Sequence, residues 1–186
     1  MIFYIADTHF NHENILELEA RPFGNVDEMN ATIINNWNSC VSEKDTVYVL
    51  GDAFWGKEDK SIEIMNRLNG HKHLIVGNHD KIQGRLKSYW ESVSDYAEIT
   101  DDNRMVVLSH YPILFYKNQK WDSVMLYGHV HKKSWWQMIE KWKSEQHQAG
   151  IKSTLINVGC MMEYMNYTPR TLDELLAKTK TIDEGK

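Results

Sequence analysis

The stretch LYGHVH, residues 126–131, sets two histidines one residue apart directly after an apolar run. In an extended segment residues i and i+2 point to the same side, so the imidazoles of His129 and His131 would lie about 7 Å apart along one face. That spacing is too wide for a packing pair and suits two groups that hold something between them. A histidine at the end of a strand is also commonly a hydrogen-bonded loop residue, so the pair alone does not distinguish a ligand site from an ordinary loop.

Polar residues of a few types follow five of the apolar runs in the sequence. The segments concerned are Asp7-Thr8-His9, Gly51-Asp52, Gly77-Asn78-His79-Asp80, Ser109-His110 and Gly128-His129-Val130-His131. Three of these turns contain a glycine, which lets the backbone bend sharply. Ligands of open α/β sheets bind outside the carboxyl ends of the strands, so these side chains are expected to converge. Ordinary turns would carry Ser, Lys and Thr more often, and the predominance of Asp, Asn and His therefore predicts a metal site.

The set of donor groups indicates which metals would bind and how many. It comprises two carboxylates, one amide and four imidazoles, from Asp7, Asp52, Asn78, His9, His110, His129 and His131. Seven protein groups are too many for one ion that keeps an open position, and they suit two ions that share a carboxylate. Oxygen and nitrogen donors without thiolate favour Mn, Fe, Zn or Co over Ca. Two such ions about 3.5–4 Å apart would lower the pKa of a bridging water and stabilise an in-line displacement at phosphorus.

The elements that must position these residues alternate between strand and helix. Segments of strand length, rich in β-branched and aromatic residues, occupy 2–6, 46–50, 73–76, 105–108, 124–127 and 154–158. Several are apolar throughout, as expected of strands that are covered on both faces. Apolar spacing and capping boxes predict helices that begin after Asn25, carry Ile62 to Leu68, span about 134–148 and begin at 171–174. A hairpin is expected around 100–103.

The bulk composition narrows the class of protein. The chain has 186 residues, 42% of them hydrophobic, which suffices for one well-buried domain over 1–186. A net charge of −5 disfavours extended binding to nucleic acid. The sequence contains no basic leader and no apolar run of about 18 residues, so neither export nor a membrane span is expected. Cys40 and Cys160 form no disulfide framework or CxxC pair, and we therefore expect a reducing, cytoplasmic setting.

The order of the motifs resembles the signature of the calcineurin-like metallophosphoesterases. That signature is D-x-H, G-D, G-N-H-[DE], an isolated H and G-H-x-H, and residues 5–131 carry these motifs in the same order and spacing. The stretches DTHFNHENI, RPF and NYTPRTLDEL further look like the short bacterial and phage phosphoesterases of this superfamily. The resemblance implies an α/β fold of four layers, an αββα sandwich in which two packed β-sheets are flanked by helices, without a cap domain.

The resemblance also implies a role for each motif residue. The implied ligands of one metal are Asp7, His9 and His131, and those of the other are Asn78, His110 and His129. Asp52 would bridge the two ions, and a hydroxide between the ions would attack the phosphate. His79 would lie beside the scissile phosphate and assist the leaving group or stabilise the transition state, with Asp80 orienting its ring.

Four further residues have both a functional and a structural interpretation. His12 is a candidate phosphate contact at the mouth of the site, or a cap of the following helix. Arg21 is a candidate to neutralise a phosphate oxygen, since guanidinium matches that geometry bidentately, or a partner in a surface ion pair. The G-D motif continues as GDAFWG, where the family often has acidic or polar residues. Phe54 and Trp55 are therefore expected either to shape a pocket wall or to pack under the loop.

Two segments rich in Trp and Met have more than one interpretation. The first, 133–152, contains Trp135, Trp136, Met138 and Trp142 among charged residues. These side chains would form the buried stripe of a helix, a wall for the organic part of the substrate, or a self-association patch, and core packing is favoured. The second, CMMEYM at 160–165, raises the same question, because methionine-rich loops suit adaptable contact surfaces.

Two classes of function are consistent with the sequence, a phosphoesterase and a non-catalytic scaffold of the same fold. A scaffold would be expected to have lost metal ligands or the histidine of G-N-H-D, and none is lost, which favours the enzyme. The expected partner is a small-molecule phosphate ester, with nucleotides among the candidates. Few basic residues lie near the motifs, so a singly charged diester is slightly easier to accommodate than a dianionic monoester.

Overall fold

The computed structural model describes residues 1–131 and 133–184, which form two β-sheets and five α-helices. The first sheet contains β1 (Ile2–Ile5), β2 (Thr46–Leu50), β3 (His71–Ile75), β4 (Ser92–Ser94) and β9 (Arg170–Thr171), in the order β4-β3-β2-β1-β9. Strands β1 to β4 are parallel, and β9 is antiparallel to β1. Because β1, β2 and β3 run in the same direction, the loops that follow them lie at one edge of the sheet.

The second sheet contains β5 (Tyr96–Asp101), β6 (Arg104–Ser109), β7 (Val124–Tyr127) and β8 (Leu155–Asn157), side by side in chain order. β5 and β6 form an antiparallel hairpin, whereas β6, β7 and β8 are parallel. Beyond β8, Gly159 forms a parallel bridge with Ala6 at the end of β1. This bridge joins the carboxyl edges of the two sheets, so the turns after β1, β2, β3, β6 and β7 face one region.

The helices are α1 (Ile15–Leu18), α2 (Val26–Cys40), α3 (Glu58–Met65), α4 (Lys133–Gln148) and α5 (Leu172–Glu184). The side chain of Asn25 caps α2 by accepting the N–H of Glu28 at 2.9 Å, as predicted. At the start of α5, the N–H of Thr171 donates to the Glu174 carboxylate at 2.9 Å, and its hydroxyl accepts the N–H of Glu174 at 3.4 Å. This reciprocal arrangement is the predicted capping box. None of the described helices is long and apolar enough to cross a membrane.

Alternate residues of the second sheet separate the layers of the fold. Val106 and Leu108 belong to the main core, which the first sheet shares with α2, α3 and α5. Val107 and Met125 belong to a second core on the opposite face, where the packed side chains of α4 are Trp136, Ile139 and Trp142. The order helix, sheet, sheet, helix follows from this alternation, and the predicted αββα sandwich is confirmed.

The six predicted strands correspond to β1, β2, β3, β6, β7 and β8, and the predicted hairpin corresponds to β5 and β6. Strands β4 and β9 were not predicted, because they have three and two residues and no apolar run. In α4, Trp136 and Trp142 pack into the core as favoured, whereas Trp135 and Met138 are 46% and 69% exposed. In the methionine-rich loop Cys160 and Met165 are fully buried, so this loop is part of the core.

Candidate metal centre

The predicted site residues meet where the carboxyl edges of the two sheets converge. They include two groups of side chains whose donor atoms lie within 4.8 Å of one another in each group, Asp7, His9 and His131, and Asp52, His110 and His129. The amide oxygen of Asn78, from the turn after β3, lies 3.0 Å from Nε2 of His110. The fold thus brings together all seven side chains that the sequence analysis selected, in two groups that could each hold a metal ion.

Asp52 lies between the two groups. Its Oδ2 is 3.8 Å from Nε2 of His9 and 3.5 Å from Nε2 of His110. Its other oxygen, Oδ1, accepts the main-chain N–H of His79 at 2.8 Å. One carboxylate oxygen therefore faces a histidine of each group, which is the position that a carboxylate shared by two cations would occupy.

The histidine nitrogens are arranged to accept a cation. Within the described residues no hydrogen bond reaches either ring nitrogen of His9, although this residue is only 2% exposed. Burial lowers the pKa of His9 to about 2, so its imidazole is neutral and offers a lone pair. Nδ1 of His110 is 2.8 Å from the carbonyl oxygen of Leu50, which can only accept, so Nδ1 carries the proton. In the neutral imidazole Nε2 is then the acceptor, and it faces the oxygens of Asp52 and Asn78. Buried acceptors that face one another fit a bound cation.

His131 lies between two buried carboxylates. Its Nε2 is 3.1 Å from Oδ1 of Asp7, and its Nδ1 contacts the carboxylate of Glu19. Burial opposes the imidazolium, but the hydrogen bonds to Asp7 and Glu19 prevail and raise the pKa of His131 to about 10. The position between Asp7 and His131 thus attracts positive charge. Glu19 contacts the far nitrogen of a candidate metal ligand, as carboxylates behind metal-binding histidines do, and this role was not predicted from the sequence.

Four of the candidate ligands have left-handed backbone conformations. Their φ angles are 55° at Asp7, 47° at His9, 52° at Asp52 and 66° at His129. This region is uncommon for residues other than glycine and costs about 1–3 kcal/mol for each residue. In this conformation the N–H of His129 donates to the Asp7 carboxylate at 3.0 Å. Such strained residues are typical of functional sites, and these four belong to the two groups of candidate ligands.

Gly51 and Gly77 leave the space that the candidate ligands occupy. A side-chain carbon on Gly51, whose φ is +85°, would lie 2.2 Å from Nδ1 of His110. A side-chain carbon on Gly77 would lie 2.4 Å from Oδ1 of Asp52. Both separations are shorter than real atomic contacts. Close packing beneath the ligands, as well as the sharp bend expected from the sequence, therefore requires glycine at these positions.

Asp80 holds the main chain of the G-D turn and does not hold the ring of His79. Its Oδ2 accepts the N–H groups of Asp52 and Gly77 at 2.9 and 2.8 Å, and its Oδ1 accepts that of Ala53 at 2.9 Å. Burial raises the pKa of Asp80, and these three hydrogen bonds oppose that rise. In the described part of the chain, no hydrogen bond joins the Asp80 carboxylate to the imidazole of His79. The expectation that Asp80 orients this imidazole is therefore corrected, because main-chain donors use both oxygens.

Arg21 is buried behind the site and does not reach toward a phosphate. Its guanidinium donates to the carbonyl oxygens of Thr8 at 3.0 Å and Asp7 at 2.8 Å, and to the Glu19 carboxylate at 2.8 Å. The thiol of Cys160 lies 3.1 Å from the same Asp7 carbonyl. The prediction that Arg21 neutralises a phosphate oxygen is corrected, because its donors are engaged by the D-x-H loop. The alternative, a surface ion pair, is also corrected, because Arg21 does pair with Glu19 but is only 5% exposed.

Three aromatic rings line the open side of the site. The ring of His12 stacks on Trp55, with centroids 3.9 Å apart and an interplanar angle of 8°, and lies 5.4 Å from the ring of His9. Trp55 is 39% exposed and lies 5.1 Å from the ring of His79, which is itself exposed. Phe54 is buried in the core. Phe54 also lines, together with Trp55, the cavity beside the site, so both interpretations of the FW pair apply to Phe54 and the pocket wall applies to Trp55. The contact between His12 and phosphate stays a prediction.

Comparisons with known proteins agree with this geometry. The family model described as the calcineurin-like phosphoesterase superfamily domain matches residues 1–180. An uncharacterized protein of Methanocaldococcus jannaschii is 36% identical over 187 aligned residues, which cover 100% of this chain and 93% of the relative. The gene 66 protein of Mycobacterium phage L5 is 27% identical over 158 residues, covering 69% of this chain and 76% of the phage protein.

A solved structure has the same fold. The crystal structure of a protein of unknown function from Aquifex aeolicus matches with a TM-score of 0.72 and 29% sequence identity, covering 96% of this chain and 98% of that one. The fold, the two clusters at the sheet edges and the family match over nearly the whole sequence agree with one another. This chain belongs to the calcineurin-like phosphoesterase superfamily.

Proposed function

We propose that the protein hydrolyses phosphate esters with two divalent transition-metal ions and prefers a diester to a monoester. The observation that carries the proposal is the position of Asp52, whose Oδ2 is 3.8 Å from a nitrogen of His9 and 3.5 Å from a nitrogen of His110. Mn, Fe, Zn and Co are the candidate ions, because nitrogen and oxygen donors are mixed and thiolate is absent from the described clusters.

The ligand assignment follows the two clusters. One ion would be held by Asp7, His9 and His131, and the other by Asn78, His110 and His129, with Asp52 shared between them. When bound, two such cations lower the pKa of a water molecule and neutralise charge on the phosphate. The neutral imidazole of His9 supports this assignment, because both of its ring nitrogens are buried and no hydrogen bond within the described residues reaches them.

His79 is the residue of this chain that we assign to the departing oxygen. Its main-chain N–H donates to Asp52 Oδ1 at 2.8 Å, which ties its position to the shared carboxylate, and its side chain is exposed. In the reaction, the oxygen of water bonds to phosphorus and the bond from phosphorus to the alcohol oxygen breaks. The departing oxygen leaves with a proton from His79, and the proton released by water restores the imidazolium.

The preference for a diester rests on the charges available near the phosphate. Arg21 is engaged by Glu19 and by carbonyl oxygens, so its charge is directed into the protein and not toward a substrate. A singly charged diester needs less neutralisation than a dianionic monoester. The net charge of −5 further favours a small ester, a nucleotide among the candidates, over a long polyanion.

The test combines metal analysis with hydrolysis of bis(p-nitrophenyl) phosphate and p-nitrophenyl phosphate. We expect two ions per chain, loss of hydrolysis with a chelator, and better recovery with Mn²⁺ than with Ca²⁺. His110→Ala should lower both metal content and rate. The control His147→Ala removes a histidine outside both clusters and should change neither. Two bound ions without hydrolysis of any ester would favour the non-catalytic scaffold, and full activity with fewer than two ions would contradict the dinuclear site.

A further inference from the structure

A cavity of about 640 Å³ opens beside the candidate metal centre. It lies between the loop after β2, the start of α3 and the segment after β3, and Asn78 and His79 form part of its lining. The ring of His79 lies 5.9 Å from that of His9 and also lines the cavity, so a group that leaves phosphorus next to His79 would extend into this space. A volume of this size accommodates an organic group as large as a nucleoside.

The apolar part of the lining contains one exposed aromatic ring. Trp55 lines the cavity and remains 39% exposed, although His12 covers one of its faces at 3.9 Å. The stack on His12 fixes the plane of the indole, because both rings are nearly parallel. Ile82 and Leu86 add aliphatic surface to the lining. A flat ring is the ligand that gains most from such a surface, since aromatic pairs attract each other beyond the effect of the area they bury.

The polar part of the lining contains groups suited to the edge of a substituted ring. Ser61, Gln83 and Glu58 line the cavity. One oxygen of Glu58, Oε1, accepts the N–H of Leu86 at 3.0 Å, which joins α3 to the segment after β3. Hydroxyl, amide and carboxylate groups around an apolar wall are typical of sites that bind a planar molecule with polar substituents.

We propose that this cavity is the leaving-group site and that it takes a planar aromatic group of up to nucleobase or nucleoside size. The inference rests on the proposed phosphoesterase function and names the class of ester that the enzyme would prefer. Trp55 is then the specificity-determining residue, because its ring contacts the leaving group and the metals do not distinguish one ester from another. Aryl or nucleoside esters would be cut faster than alkyl esters whose alcohols are equally acidic.

The experiment compares two phosphodiesters that share one retained group and differ in the leaving group. One releases a phenol and the other a fluorinated alkyl alcohol of matched acidity, so that the chemical barrier is similar and the ring is the main difference. We expect the wild-type protein with Mn²⁺ to favour the aryl ester at least tenfold in kcat/KM. Trp55→Ala should remove most of that preference by raising KM for the aryl ester, and Trp55→Phe should retain part of it.

Two further variants distinguish a local effect on the cavity lining from a general loss of structure. Gln83→Trp places a bulky side chain in the lining and narrows the cavity, so it should raise KM about tenfold for the aryl ester and less for the smaller fluoroalkyl ester. Trp121→Ala removes a tryptophan that is 71% exposed and lies outside the lining, and it should leave both substrates unchanged. The proposed leaving-group site is wrong if the wild type hydrolyses both esters and the ratio of kcat/KM for the aryl ester to that for the fluoroalkyl ester stays within twofold of the wild-type ratio in both Trp55→Ala and Gln83→Trp. If the wild type hydrolyses neither ester, the phosphoesterase function itself fails.

Discussion

The carboxylate of Asp80 accepts the main-chain N–H of Asp52 at 2.9 Å. In return, the carboxylate of Asp52 accepts the main-chain N–H of His79 at 2.8 Å. The turns after β2 and β3 therefore hold each other through two carboxylates, one directed away from the metal centre and one directed into it. Asp80, the last residue of G-N-H-D, thus holds the main chain of Asp52, the second residue of G-D. The N–H of His79 holds the Asp52 carboxylate itself, which is the one that would bridge the ions.

Replacing Asp80 with Asn should destabilise the protein and weaken metal binding together. An amide keeps one acceptor oxygen, and its NH₂ group would face one of the three N–H donors that the carboxylate accepts. Hydrogen bonds to charged groups contribute about 1.5–3 kcal/mol, so we expect a loss of about 2 kcal/mol in the free energy of unfolding. Urea denaturation of the metal-free protein measures it.

The matched control for Asp80 is Asp59→Asn on α3, whose side chain is 77% exposed. Its effect should stay within about 0.5 kcal/mol, as for surface substitutions in general. An Asp80→Asn variant with wild-type stability and wild-type Mn²⁺ affinity would show that the turns do not depend on this carboxylate.

Replacing Asp52 with Asn removes the negative charge between the two clusters and keeps the volume. We expect loss of at least one ion per chain and a rate at least about a hundredfold lower, which corresponds to about 2.7 kcal/mol in the barrier. Metal analysis of the dialysed variant and its kcat on a diester test both parts. If this variant retains two ions and turns over normally, Asp52 is not shared between the metals.

Glu19→Gln should weaken the cluster that contains His131. The Glu19 carboxylate contacts Nδ1 of His131 and also accepts from Nε of Arg21 at 2.8 Å. Loss of such a carboxylate behind a metal-binding histidine typically costs about 10–100-fold in metal affinity or activity. Titration with Mn²⁺ should show one site weakened within that range and the other unchanged.

Glu17→Gln is the control for Glu19, because Glu17 lies two residues earlier and is exposed. It should leave both binding constants at their wild-type values. Equal weakening of both sites in Glu19→Gln would indicate a general loss of structure and not a local effect on His131.

The sequence predicted the site better than it predicted the contacts behind the site. The candidate ligands follow strands that are apolar throughout, such as β1 and β7, and their side-chain types alone indicated a metal centre. The predicted roles of Asp80 and Arg21 were wrong. Asp80 accepts from the main chain of Asp52, which is far away in the sequence, and Arg21 donates to a loop whose left-handed turns no sequence pattern reveals. Glu19 was missed for the same reason, since its partner His131 is more than a hundred residues away. The only local signal was its proximity to Arg21 in ELEARPF.

His79 offers the sharpest test of how the leaving group departs. Its side chain is exposed at the edge of the cavity, and its main chain is fixed by Asp52, so its substitution should leave both clusters intact. General acid catalysis is typically worth about 10²–10⁴-fold, and it matters most when the departing alcohol is a poor leaving group. We therefore expect His79→Asn to bind two ions and to lose far more rate on an unsubstituted phenyl or alkyl ester than on a p-nitrophenyl ester.

The measurement is kcat/KM for wild type and His79→Asn over a series of aryl diesters of increasing phenol pKa. A proton donor predicts that the ratio between the two proteins grows along the series, because the variant must expel an increasingly basic oxygen without help. A histidine that only stabilises the negative charge of the phosphate predicts one constant ratio. Equal losses along the whole series would remove the acid role and leave His79 as an electrostatic contact of the transition state.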